Sequence, residues 1–166
     1  MKALFAALLL MVAPVVSSAQ EQRVDFASLP FDHAIRVVHG DGARRIAVFE
    51  DPYCPFCRKL ESELSVIDNV TIFVFLFPIL TPQSAPMSNA IWCAPDRAQA
   101  WRAWMSEHRA PASINPCANT PIADNLALAK RLGVRITPTI VFADGALVTG
   151  ALPLDDLEAI LDGAHP

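Results

Sequence analysis

Two cysteines separated by two residues, Cys54-Pro55-Phe56-Cys57, stand where an apolar run gives way to a helical pattern. Before them, Ile46-Ala47-Val48-Phe49 is short and apolar and reads as a buried strand. After them, Leu60, Leu64 and Ile67 recur at helical spacing between Arg58, Lys59, Glu61 and Glu63. Proline suits the first turn of a helix, where its missing N–H is not needed. The pair therefore lies at a helix N-terminus, whose free N–H groups and partial positive charge stabilise a thiolate. Cys54, nearest that end, is the expected nucleophile. Cys57, one turn on and on the same face, is placed to attack a mixed disulfide and release the partner held in it. Two blander readings compete. A structural zinc site needs four ligands, and no second C-x-x-C or H-x-x-x-H accompanies this pair, so no metal and no cofactor are expected. An inert disulfide across the pair stays open, because reactivity is not written in spacing.

The elements around the pair form an α/β pattern. Val70 to Phe77 is β-branched and aromatic and ends at Pro78, as a second buried strand would. Pro86 to Glu107 reads as two helices broken at Pro95-Asp96, with Trp92, Trp101 and Trp104 as core residues. A loop over 109–121 leads into a helix through Leu126, Leu128 and Leu132 that stops at Gly133. Thr139 to Ala143, the turn Asp144-Gly145 and Ala146 to Thr149 make a hairpin, and Leu154 to Leu161 a closing amphipathic helix. Thr137-Pro138 precedes the hairpin: either an edge proline, or a cis peptide that brings backbone beside Cys54 to pair with a bound chain.

The amino terminus reads as an export signal. Lys2 precedes an apolar run from Ala3 to Val16, then Ser17-Ser18-Ala19, so residues 1–19 are expected to be a cleaved signal peptide with the cut after Ala19. The run is shorter than a membrane span and contains Pro14. Export places four cysteines in an oxidising compartment where disulfides persist. A net charge of -4, with 13 basic and 17 acidic residues and no basic run, argues against nucleic acid as a partner. His33, His39, His108 and His165 show no ligand spacing and read as scattered surface residues. Glu50 and Asp51, close before Cys54, read equally well as proton relays and as solvated loop carboxylates.

The run Val48-Phe49-Glu50-Asp51-Pro52-Tyr53-Cys54-Pro55-Phe56-Cys57 resembles the start of the catalytic domain in the DsbC/DsbG family of periplasmic thiol:disulfide interchange proteins. Asp51 matches the Asp that precedes the family motif. Ile91-Trp92-Cys93-Ala94 with Asp96, Cys117 with Pro121-Ile122-Ala123, and Gly133 through Thr137-Pro138-Thr139 resemble three further family segments, and the likeness runs from about Phe26 to Gly163. The resemblance implies a thioredoxin-like fold with a helical insertion at about 84–132 within a catalytic domain over 45–166, preceded by an arm over 20–44. It implies Cys54 attacking, Cys57 resolving, Thr137 and a cis Pro138 meeting substrate, and a buried structural disulfide between Cys93 and Cys117. Two departures stand out. Ile136 occupies a position where the family usually has Gly, and about two dozen residues between Ala19 and Arg45 are too few for the family's dimerisation domain.

The reading that follows is an exported thiol:disulfide oxidoreductase or isomerase, acting in the periplasm on disulfide-containing exported proteins and served by a DsbD-like membrane redox partner that the resemblance implies. The chain is expected to be a monomer, with Val24 to Val38 adding a strand or arm to its own domain. The alternative is a non-enzymatic periplasmic chaperone or partner-binding module whose cysteines are structural.

Overall fold

A computed structural model describes residues 23–112 and 117–164. The sequence's expected signal peptide and His165 lie outside the described residues. Five strands form one mixed sheet: β1 Ile35–His39, β2 Arg44–Glu50, β3 Val70–Leu76, β4 Thr139–Phe142 and β5 Leu147–Thr149, in the order β1-β3-β2-β4-β5. Only β2 and β3 run parallel, Ile46 opposite Ile72 and Glu50 opposite Leu76. A parallel pair needs a crossover, and helix α1, Pro55–Leu64, supplies it. The other pairs are antiparallel, and β4-β5 is the hairpin expected at Asp144-Gly145, where Gly145 takes a φ of 86°.

Every residue of β3 is buried, as a β-branched and aromatic run covered on both faces should be. Alternate residues of the central strands feed two separate cores. Ile46, Val48, Ile72, Val74 and Leu76 face one side, against Cys57, Leu60 and Leu64 of α1 and Leu157 and Leu161 of the last helix, α5, Leu154–Gly163. Ala47, Phe49, Phe73 and Phe75 face the other, against Val24, Phe26 and Leu29. The segment at 23–44 thus packs on the sheet and supplies its edge strand β1, with Arg45 stacked over Phe26, Phe31 and Phe73.

Between β3 and β4 the chain inserts three helices: α2 Ser84–Trp92, α3 Arg97–Glu107 and α4 Ile122–Arg131. Asp96 caps α3 by accepting the Gln99 N–H at 2.9 Å, which is why the break falls at Pro95-Asp96. Trp92 and Trp101 are buried in the core as the aromatic pattern suggests. Trp104 departs from it, being only half-buried, and its neighbours are in the loop before Cys54.

Candidate functional site

Strand β2 ends at Glu50, and the loop Asp51-Pro52-Tyr53 turns the chain into α1. The turn is built around the Asp51 carboxylate, which is wholly buried. Its Oδ1 accepts the Tyr53 N–H at 2.8 Å and the Ser84 hydroxyl at 2.8 Å, and its Oδ2 accepts the N–H groups of Ile79 and Leu80 at 2.7 and 2.9 Å. Four donors occupy that carboxylate, so Asp51 ties the loop before Cys54 to the segment after β3. The reading of Glu50 and Asp51 as solvated carboxylates is overturned, since both are fully buried.

A second brace comes from the insertion. Trp104 donates its indole N–H to the Pro52 carbonyl at 2.6 Å and packs edge-on against Tyr53. Arg58 of α1 donates to the carbonyls of Trp104 and Met105, each at 3.0 Å, and to that of Pro52 at 3.4 Å. Its guanidinium lies over the Trp104 ring, so the last turn of α3 and the loop before Cys54 share one cation. No local signal in the sequence joins residues 52, 58 and 104.

Cys54 is the N-cap of α1, and Pro55 opens the helix. The Cys54 Sγ accepts the Cys57 N–H at 3.2 Å, one of the free donors of the first turn. It also lies 3.5 Å from the Thr137 carbonyl, and the Thr137–Pro138 peptide is cis, so the loop before β4 borders the sulfur across 83 residues of chain. Both cysteines of the pair are unbridged thiols. The Cys54 thiol is lowered from the usual 9.0 to about 6. The Cys57 side-chain hydrogen bond is the largest cause, opposed by burial, and Thr137 and the N–H groups of Cys57 and Phe56 add to the lowering. The Cys57 thiol is pushed far up by burial, then by its hydrogen bond to Cys54 and by Glu50. One group is thus a thiolate at neutral pH and the other stays protonated, which suits attack by the first and delayed attack by the second.

The structure joins Cys93, at the end of α2, to Cys117. The expectation of a buried bridge is corrected: Cys117 is exposed, because it lies in the loop beyond α3 and outside both cores. Phe56, 62 % exposed, follows Cys54 by two residues, and Ile136, 51 % exposed, precedes Thr137, whose carbonyl borders the Cys54 sulfur. His33 and His39 are half-buried, and His108 is exposed. His33 lies near Asp32 and Asp124, and His39 holds the Ile67 carbonyl. Among the described residues no group of three or more His, Cys, Asp or Glu could hold a metal ion. No helix there is long and apolar enough to cross a membrane.

A family model for the thioredoxin-like domain matches residues 31–165. The chain is 46% identical over 138 residues to a probable thiol:disulfide interchange protein DsbC from Bordetella pertussis, covering 83% of this chain and 49% of the relative. It is 34% identical over 122 residues to the thiol:disulfide interchange protein DsbC of Escherichia coli K12, covering 70% of this chain and 50% of that one. The chain therefore spans about half the length of these curated relatives. A crystal structure of a disulfide interchange protein from Neisseria gonorrhoeae superposes with a TM-score of 0.78 at 38% identity, over 82% of this chain and 98% of that one.

Proposed function

This chain belongs to the thioredoxin-like family of disulfide interchange proteins, and on that premise we propose that it carries out thiol–disulfide exchange on exported proteins, with Cys54 attacking and Cys57 resolving. The observation that carries the reading is the asymmetry of the pair: an N-cap thiol lowered to about 6 beside a buried partner pushed far up. The Cys54 thiolate attacks one sulfur of a client disulfide, forming a bond to it and expelling the other sulfur as a thiolate. If that thiolate attacks another client disulfide and the thiolate so freed attacks the Cys54–client bond, Cys54 is expelled as a thiolate and disulfides are rearranged with no net redox change. If Cys57 attacks Cys54 instead, the client leaves reduced and two electrons pass from the Cys54–Cys57 dithiol, which closes to a disulfide. A stabilised Cys54 thiolate favours the reduced dithiol and so keeps the attacking form populated. Asp51, Arg58 and Trp104 position the loop, and Thr137 and Pro138 border the place where client backbone would lie.

Residues 1–19 are proposed to direct export to the periplasm, and a DsbD-like membrane protein to return the dithiol to its reduced state after a reductive cycle. Refolding of scrambled ribonuclease by the purified chain, read on non-reducing gels, tests the central claim. Cys57→Ser is expected to accumulate a ribonuclease adduct, and Cys54→Ser neither an adduct nor active ribonuclease. An active Cys54→Ser variant overturns the assignment.

A further inference from the structure

The segments that border Cys54 carry no exposed charge on three sides. Residues 52–57 read Pro-Tyr-Cys-Pro-Phe-Cys, and residues 77–83, tied to Asp51 through the Ile79 and Leu80 N–H groups, hold only Thr81 and Gln83 as polar side chains. Residues 147–153 hold only Thr149, and they reach the cis-proline loop where the Gly150 N–H meets the Pro138 carbonyl at 2.8 Å. The fourth side differs. Helix α4 ends in Lys130 and Arg131, and Arg135 follows on the way to Thr137, all three exposed. Among the described residues no side-chain hydrogen bond or ion pair engages any of the three.

The backbone fixes where these cations stand. Gly133, at a φ of 71°, turns the chain back on the helix: its N–H meets the Lys130 carbonyl at 3.2 Å, and the Val134 N–H meets the Ala129 carbonyl at 2.8 Å. Arg135 is thereby held beside the last turn of α4. The Thr139 hydroxyl secures the next peptide by donating to the Ile136 carbonyl at 2.8 Å. Two residues beyond Arg135, the Thr137 carbonyl lies 3.5 Å from the Cys54 Sγ, so at most about 7 Å of chain separates Arg135 from the residue that borders the sulfur. Lys130 and Arg131 complement the α4 dipole, as cations of a last turn do. Arg135 lies beyond the helix and owes nothing to that effect, while its neighbour Val134 enters the core.

We propose that Arg135, with Lys130 and Arg131 behind it, determines specificity in the exchange reaction, forming a cationic rim that selects client disulfides whose cysteine is flanked by carboxylates. The inference rests on the exchange reading above and names a client class that reading leaves open. A guanidinium offers donors in a fork that matches a carboxylate, and a client residue one or two places from the attacked cysteine falls within its reach. The other charges near the site are engaged or lie elsewhere. Asp51 is buried under four donors, and Arg58 is spent on three carbonyls. Asp155 and Asp156 open α5, whose Leu157 and Leu161 pack on one face of the sheet, whereas Leu128 and Ala129 of α4 pack on the other. Lys59 stands one turn down α1 from Phe56, with Glu63 a further turn on. The whole chain carries a charge of -4, so an anionic client gains nothing from long-range steering, and the preference arises at contact.

Three matched probes test this: the disulfide-linked dimers of acetylated and amidated Glu-Cys-Glu, Gln-Cys-Gln and Lys-Cys-Lys. Rapid mixing of the reduced chain with each in excess gives the rate of attack by Cys54. Dividing by the rate of mercaptoethanol on the same peptide removes the intrinsic effect of the flanks. At low salt the normalised Glu-to-Gln ratio is expected to be about fivefold, the contribution of one or two exposed ion pairs, and the Lys peptide to be the slowest. The ratio should collapse in about 1 M salt, where charges are screened within about 3 Å. Arg135→Gln should bring it to within about twofold of unity, Arg135→Glu should invert it, and Lys59→Gln should keep the parent's ratio. Iodoacetamide, which is uncharged, should show the Cys54 inflection at about 6 in every variant. A parent ratio within about twofold of unity, an Arg135→Glu variant that keeps the parent's preference, an equal loss in Lys59→Gln, or an inflection that moves with the ratio overturns the proposal. A chain that attacks none of the three peptides refutes the exchange reading itself.

Discussion

Replacing Cys57 by alanine should raise the pH at which Cys54 ionises, because the largest cause of its low value is the hydrogen bond from the Cys57 side chain. A hydrogen bond to a charged acceptor contributes about 1.5–3 kcal/mol, which corresponds to about 1–2 pH units. The Cys57 N–H, 3.2 Å from the sulfur, and the Thr137 contact remain, so Cys54 should move from about 6 to about 7–8. The thiolate fraction at neutral pH then falls from about nine-tenths to between about a half and a tenth. Cys57→Ser keeps an O–H donor at the same place and should stay near 6. Both variants leave a single active thiol, so iodoacetamide alkylation followed against pH reads Cys54 alone. The inflection, not the rate, is the measure, since a more basic thiolate is intrinsically about three- to eightfold more nucleophilic over this range. Identical inflections in the alanine and serine variants would refute the reasoning and leave the helix N-terminus as the sole cause. The same lowering couples redox state to pH. A folded-state value below the unfolded 9.0 stabilises the reduced protein fully above that pH, and the stabilisation is lost as pH falls through about 6. Denaturation of the reduced form relative to the oxidised form should therefore become easier from about pH 9 down to about pH 5.

Asp51→Ala should cost about 3 kcal/mol in urea denaturation, because it strands three part-buried N–H groups and the buried Ser84 hydroxyl; a loss below about 1 kcal/mol would show that the turn finds other acceptors. The Cys93→Ser, Cys117→Ser double variant opens a loop of sequence separation 24 and should lose about 3 kcal/mol. Its Cys54 alkylation profile should stay that of the parent, since the bridge lies outside the site. Ile136→Gly removes an exposed apolar side chain beside the Cys54-bordering loop and should slow attack on peptide disulfides with apolar flanking residues about fivefold, the equivalent of about 1 kcal/mol of contact. Attack on oxidised glutathione, which offers no such flank, should change little, and equal slowing of both substrates would remove Ile136 as a specificity group.

The residues with chemistry were legible in the sequence because their signals are local. A C-x-x-C pair with proline at the first helical position places a thiol at a helix cap whatever the rest of the chain does, and Pro55 opens α1. The β2, β3 and β4 runs, the break at Asp96 and the turn at Gly145 follow equally from neighbours along the chain. The Thr137–Pro138 loop and the Cys93 and Cys117 segments came from resemblance, since nothing local distinguishes an edge proline from one beside a reactive sulfur.

Tertiary structure decided whatever depends on which distant groups meet. Glu50 and Asp51 are adjacent acidic residues that sequence treats alike. The pleat sends one into the apolar layer under α1 and the other towards the amides of Ile79 and Leu80. Trp104 carries the same apolar label as Trp92 and Trp101, yet packing of α3 on α1 puts its indole N–H on Pro52. Glu61 reads as one more solvated charge on an amphipathic helix until β2 brings a second carboxyl against it. Burial and partnership arise between segments dozens of residues apart, and they set whether a carboxyl holds its proton. That is why a thiol at a helix cap could be named from spacing alone, and the buried carboxyl beside it only from the fold.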